Sequence, residues 1–354
     1  MALTVTACGR AAETSAPAAS GGAATKGTIG VAMPTKTSER WIKDGEYLKK
    51  ELEAAGYKVN LQYANDDIPT QVIQVNDMVT KANQILVVAA IDGVALKGAL
   101  QEAADAKIPV IAYDRLLRET EAVSYYTTFD NFKVGVLQGT SLLEGLAASG
   151  FPKPWNVELF AGSPDDNNAT FFFNGAMSVL QPKIDSKEII IQSGETEFNK
   201  VATLRWDAAV AKKRMENILT KSYTDKDVHG VLAPYDGLSR GIIAALKGSG
   251  YGAGEKKLPI VTGQDAELES VKMILAGEQH STVFKDTREL AKATVKMVGE
   301  IASGATVTVN DTKTYNNGIK VVPTMLLDPV LVDKSNIVQV LVDAGYYTKE
   351  QMGQ

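Results

Sequence analysis

The chain has 354 residues, 45% of them apolar and 22% charged, which is too long for one ordinary core and predicts two globular domains. Its net charge of -5, with acids and bases interspersed, excludes the basic patch or stripe of a nucleic-acid binder. No apolar run approaches the roughly 18 to 20 residues of a membrane-spanning helix, and a single cysteine leaves no internal disulfide.

That cysteine, Cys8, sits in "ALTVTACGR" and is followed by "AAETSAPAASGGAATKG". The second stretch has too few large apolar groups to pack, so residues 1–25 read as a flexible tether. "VTAC" resembles the lipobox of bacterial lipoproteins, in which cleavage leaves the cysteine first and lipidated. The basic and long apolar parts of a secretory signal do not precede it, so a truncated N-terminus is expected.

From Lys26 onward, strands alternate with helices. "GTIGVAM" is a strand, and "ERWIKDGEYLKKELEAAG" is a helix with Trp41, Leu48, Leu52 and Ala55 on one face and Gly56 at its C-terminal stop. Strand "YKVNLQYA", helix 70–83, strand "QILVVAA", helix 94–106 and strand "IPVIAY" follow. After "YYTTFDN" the alternation restarts with helix 131–148, strand "NVELFAG", helix 168–181, strand "EIIIQSG", helix 205–220, strand "GVLAP", helix 237–247 and strand "LPIVTG". Helix 267–276, strand "STVFK", helix 287–303, a strand-like tail "IKVVPTMLLDPVLV" and a short helix at 335–344 complete it. The strands are short, continuous apolar runs, as in parallel sheets covered on both faces. About ten such units make an α/β protein with two doubly wound, Rossmann-like sheets.

In such sheets ligands bind beyond the carboxyl ends of the strands. The residues found there are Glu39, Arg40 and Trp41; Asp114 and Arg115; Asp165, Asp166, Asn167 and Asn168; Arg205, Trp206 and Asp207; Tyr235 and Asp236; Gln264 and Asp265; and Lys285 and Asp286. Carboxylates accept from hydroxyls, Arg and Lys donate, and Asn does both. A tryptophan face suits the C–H face of a pyranose. The set therefore points to a polyol. Phosphate calls for a Gly-rich loop at a helix N-terminus, and "GSGYGAG" precedes a strand instead. Each residue also has an ordinary structural role open to it: an Asp114–Arg115 ion pair, N-caps at Asn167, Asp236 and Asp265, core aromatics at Trp41 and Trp206, a solvated charge at Lys285. Their convergence at one end of seven strands favours binding.

"GLSRG", Gly237 to Gly241, formally fits the nucleophile elbow of hydrolases. Its base would have to be His229 or His280, the only histidines, and both precede their strands, at the other end of the sheet. With no ligand-spaced cysteine either, no zinc site and no cofactor are expected.

The motifs "ERW", "AYDRLLR", "SYYTTFDNFKVG", "AGSPDDNNATFFF", "LRWD", "APYDGLS", "GQDAE", "AGEQHSTVFKDTRELA" and "NDTKTYNNGIKVVPTMLL" together resemble the solute-binding proteins of bacterial ABC sugar importers, of the type 1 periplasmic-binding fold. The xylose-binding and multiple-sugar-binding proteins are the branch they resemble most, from Lys26 to the C-terminus. "AG" where "GG" is usual before "SPDD", and His280 in a loop that is often Tyr or Thr, depart from the pattern. The resemblance implies a monosaccharide such as xylose, glucose or galactose held between two domains by Arg40, Trp41, Asp114, Arg115, Asn167, Asn168, Trp206, Asp236, Asp265 and Lys285. It also implies three chain crossings, near 129–131, 285–287 and 321–324. One domain is then 26–129 plus 287–321, the other 131–285 plus 322–354. The implied protein is not an enzyme. It is a monomeric, extracytoplasmic, lipid-anchored receptor whose partners are permease subunits and a chemoreceptor. The alternative, a sugar-sensing regulator, would need a DNA-binding helix-turn-helix before residue 26, where the tether composition cannot form one.

Overall fold

The computed structural model describes residues 1, 2, 4 and 26–354; the lipobox-like Cys8 and most of the tether lie outside the described residues. The first lobe is built from β1 (Lys26–Met33), α1 (Glu39–Ala54), β2 (Tyr57–Tyr63), α2 (Ile68–Thr80), β3 (Ile85–Val88), α3 (Lys97–Asp105), β4 (Val110–Tyr113) and β5 (Val123–Phe129). The second begins with α4 (Asn131–Ala148), β6 (Trp155–Leu159), α5 (Asn167–Asp185), β7 (Ile189–Ile190), the single turn α6 (Phe198–Val201) and α7 (Ala208–Ser222). It continues through β8 (Gly230–Leu232), α8 (Asp236–Gly248), β9 (Ile260–Val261), α9 (Leu268–Ala276) and β10 (Ser281–Phe284). Then come α10 (Thr287–Ser303), β11 (Thr324–Leu327) and β12 (Val330–Asp333).

The first sheet runs β11-β5-β4-β3-β1-β2, and every pairing is parallel. β3 and β4 are fully buried because one core packs Val88, Leu100 and Val110 on one face while another packs Leu48, Val87 and Leu290 on the other. The second sheet runs β7-β6-β8-β9, also parallel, and a bridge between Gln264 and Val283 brings β10 alongside. Both lobes therefore repeat the 2-1-3-4-5 doubly wound order, with crevices between β1 and β3 and between β6 and β8.

One boundary differs from the sequence reading. β11 pairs with β5, Thr324 opposite Tyr126 and Leu327 opposite Phe129, whereas β12 pairs antiparallel with β10 of the second lobe. The chain thus stays on the first lobe through Leu327 and crosses between Leu327 and Val330, not at 321–324. Asp328-Pro329 is the break inside what reads as one apolar tail: proline cannot donate to a ladder.

Candidate functional site

Residues 40 and 44 lie one turn apart on α1 and share its inner face. Arg40 Nε donates to Asp44 Oδ2 at 2.8 Å, while its two terminal nitrogens donate to Asp114 Oδ1 and Oδ2 at 2.6 and 2.9 Å, a two-pronged clasp. Two buried carboxylates therefore share one guanidinium. Burial pushes both upward, but Asp114 faces Arg40 and also Lys285, 3.8 Å away, and ends at about 2. Asp44, for which burial outweighs Arg40 and which meets the Asp114 charge, ends at about 6.

These shifts have opposite signs in stability. Asp44 is raised from 3.8, so its contribution is complete below that value and is lost as pH rises through about 6. Asp114 is lowered from 3.8, so its contribution is present above that value and is lost as pH falls through about 2. Relative to Asp44→Asn, the native chain should lose roughly 2–3 kcal/mol of stability between pH 4 and pH 6. Denaturant melts of both proteins across that range check this; parallel curves would mean that Asp44 is not the group titrating there.

Asp114 has φ +58°, the left-handed region that disfavours a side chain. Its carbonyl explains how the conformation is held: it accepts from Asn168 Nδ2 at 2.7 Å, Tyr126 Oη at 2.5 Å and Thr128 Oγ1 at 3.0 Å. Asn168 belongs to α5, so the lobes meet here. Arg115 does not pair with Asp114. Its Nε approaches Asp166 Oδ2 of the second lobe at 3.1 Å, and its guanidinium lies over the Trp41 ring, 5.1 Å from the centroid. Asp265, on the loop after β9, meets Lys285 at 3.1 Å and Arg40 at 3.8 Å.

These groups surround a cavity between the lobes, with about 550 Å³ of space including the part open to solvent. Of the sequence-predicted residues, Arg40, Trp41, Asp114, Arg115, Asn168, Trp206, Asp265 and Lys285 line it; Asn167 and Asp236 do not. Asn167 is half-buried and its Nδ2 has no hydrogen-bond partner among the described residues. Asp236 is fully buried and accepts from Gln279 Nε2, Glu267 N and Thr282 Oγ1 at 2.9 to 3.1 Å. Burial, then the Glu267 charge, push it well above the carboxylate range. It ties α8 to β10 behind the cavity wall.

The lining also holds Thr35, Thr37, Ser38, Asp66, Asp166, Phe172, Arg205, Tyr235 and Gln264. Asp166, Arg205, Tyr235 and Gln264 are neighbours of chosen residues on the same strand-end loops. Phe172 is one helical turn beyond Asn168 and so shares its face, a signal available in the sequence. The hydroxyls of Thr35, Thr37 and Ser38 had none, since such residues are common in any loop.

Ser239 of the "GLSRG" stretch is fully buried, and its hydroxyl contacts the carbonyls of Tyr235 at 2.9 Å and Thr262 at 2.7 Å. It is not presented as a nucleophile. Among the described residues, no cluster of three metal-ligating side chains occurs and no helix is long and apolar enough to cross a membrane.

Residues 29–306 match the family model described as the periplasmic binding protein domain. The chain is 60% identical over 330 residues to the multiple sugar-binding periplasmic receptor ChvE of Rhizobium radiobacter, covering 93% of both chains. It is 34% identical to the D-xylose-binding periplasmic protein of Escherichia coli (strain K12), covering 92% of each. An ABC transporter solute-binding protein from Clostridium phytofermentans, solved with bound β-D-glucose, superposes with a TM-score of 0.87 at 44% identity, over 92% of this chain and 99% of that one.

Proposed function

Because the chain belongs to the periplasmic binding protein family, we propose that it is an extracytoplasmic receptor that captures one aldopyranose, such as xylose, glucose or galactose, and delivers it to an ABC importer. The observation that carries this reading is the make-up of the cavity. Four cations (Arg40, Arg115, Arg205, Lys285) and four carboxylates (Asp66, Asp114, Asp166, Asp265) line one space with two tryptophans. The charges balance, so the site favours a neutral ligand rich in hydroxyls over an anion, and the indoles offer apolar faces. Calorimetry with these sugars should give saturable one-to-one binding. If none binds at millimolar concentration while an amino acid or a sugar phosphate does, the reading is wrong.

In this reading Arg40, Trp41, Asp114, Arg115, Asn168, Trp206, Asp265 and Lys285 contact the sugar, with the cavity residues Asp166, Arg205 and Gln264 beside them; Asn167 and Asp236 support the walls. The chain performs no reaction on the sugar. It acts as a monomer tethered through a lipid on Cys8, and its closed form is what permease subunits and a chemoreceptor recognise. Fatty-acid labelling that persists in Cys8→Ala would remove the anchor from this picture.

Gly162 makes room for the Trp206 indole: a Cβ there would lie 2.0 Å from Cη2 of the ring. Gly162→Ala must therefore push the indole aside. Sugar affinity should fall about tenfold, and because Phe172 and Tyr235 flank the ring the melting temperature of the empty protein should fall as well. Calorimetry beside a thermal melt checks this, and unchanged affinity would show that the position of Trp206 is unimportant.

A further inference from the structure

Four polar atoms buried among residues of the cavity wall on the second lobe make no hydrogen bond among the described residues: Nη1 of Arg205, Nε1 of Trp206, Oε1 of Gln264 and Oδ1 of Asp265. Arg205 Nη1 is nonetheless ion-paired with Asp165 Oδ2 at 2.9 Å. Asp265 Oδ1 has Lys285 Nζ 3.1 Å away, but not in hydrogen-bond alignment. An indole nitrogen only donates, whereas an amide or carboxylate oxygen only accepts. Buried tryptophan N–H groups ordinarily have a partner, and leaving one unmade is unfavourable. Here two donors and two acceptors, all buried, belong to residues of one cavity wall without satisfying each other.

Trp206 is not free to turn away. Its six-membered ring rests on Gly162, and the rings of Phe172 and Tyr235 flank it at 6.3 and 6.1 Å between centroids. Arg205 and Trp206 are both left-handed, φ +58° and +55°. That turn is pinned by Arg205 N donating to Ser163 Oγ at 2.8 Å and Trp206 N donating to the Thr203 carbonyl at 3.1 Å. The indole N–H therefore has a fixed direction.

A single group that completes both the indole and an oxygen of the same wall must accept from the one and donate to the other. A carboxylate or a fully ionised phosphate cannot donate, and an ammonium group cannot accept; a hydroxyl does both from a single oxygen. Resting on the sugar-receptor reading above, we infer that Trp206 binds through its N–H as well as its ring. The indole donates to one sugar hydroxyl, and that hydroxyl donates onward to Gln264 Oε1 or Asp265 Oδ1. Trp206 then selects which carbon carries a correctly directed hydroxyl, a specificity role that stacking alone does not provide.

The test compares native protein and Trp206→Phe by calorimetry, using the aldopyranose bound most tightly and each of its monodeoxy derivatives. Phenylalanine keeps an aromatic face and deletes the N–H. The variant should bind the parent sugar about tenfold more weakly, and this penalty should shrink to about twofold for one deoxy derivative only. An equal penalty on every derivative overturns the inference and leaves the receptor reading intact, whereas native protein that binds no sugar overturns the receptor reading itself. Because Trp206→Phe could fail to fold, the indole N–H resonances of the three tryptophans in native, nitrogen-15-labelled protein give a second readout. The Trp206 proton should move downfield with the parent sugar and stay in place with that same deoxy derivative. A Trp206 signal indifferent to the parent sugar overturns the proposal.

Discussion

Asp114→Ala should weaken sugar binding by well over tenfold, about 2 to 4 kcal/mol, and should also lower the stability of the empty protein. The carboxylate is 2% exposed and faces two cations, Arg40 (4% exposed) and Lys285 (2% exposed). Removing it strands both in a desolvated cleft, the situation in which breaking a buried pair costs about 3–5 kcal/mol. Among the described residues Asp44 is then the only carboxylate left hydrogen-bonded to Arg40, so its proton should leave more easily, and the stability loss expected between pH 4 and pH 6 should shrink. Asp114→Asn separates shape from charge: it keeps an acceptor and the volume but no longer balances Arg40. Calorimetry and denaturant melts on both variants check the prediction. Near-normal affinity in Asp114→Ala would leave only a structural ion pair at this strand tip.

How much of this was legible beforehand differs by level. The alternation of strands and helices could be read because β3 and β4 are uninterrupted apolar runs between amphipathic helices, a pattern set by burial on both faces. The side of the sheets that carries the site followed from that topology alone. The choice among neighbours on one loop did not. In "SPDDNNA", Asp166 and Asn168 reach the cavity lining and Asn167 between them does not; Asp166 caps α5 by accepting from Asn168 N, which holds its carboxylate beside Asn168. Asp236 was misleading for a related reason: a carboxylate after a strand looks the same in sequence whether it faces a ligand or, as here, Gln279 and Thr282. The left-handed backbone at Asp114, Trp206 and Asp265 is invisible in sequence, since only glycine announces that conformation; strain of this kind collects at binding sites. Contacts across the cleft, such as Arg115 with Asp166, depend on how two separately folded lobes meet.

Removing contacts that join the lobes outside the cavity should weaken every sugar by one common factor. Glu39 Oε2 accepts from Leu268 N at the start of α9 at 2.8 Å. Lys43 donates to Tyr347 Oη at 2.6 Å and pairs with Glu39 at 2.7 Å, with its ammonium 3.9 Å from the centre of the Tyr347 ring. Tyr347 packs with Ala266, Phe284 and Val332 of the second lobe, so α1 of the first lobe is latched to the second through the C-terminal segment. Glu39, Lys43 and Tyr347 are absent from the cavity lining. They act on closure, and apparent affinity scales with the fraction of receptor in the binding-competent state. Glu39→Ala deletes the acceptor of Leu268 N, Lys43 and Tyr347 together, so affinity should drop about tenfold for xylose, glucose and galactose alike, with their ranking unchanged. Small-angle scattering should show the radius of gyration of the native protein falling on saturation with sugar, and the empty variant should be the more extended of the two proteins. A variant that changes the ranking of sugars would place Glu39 in the site. Unchanged affinity, together with scattering identical to native, would mean that the lobes close without this latch.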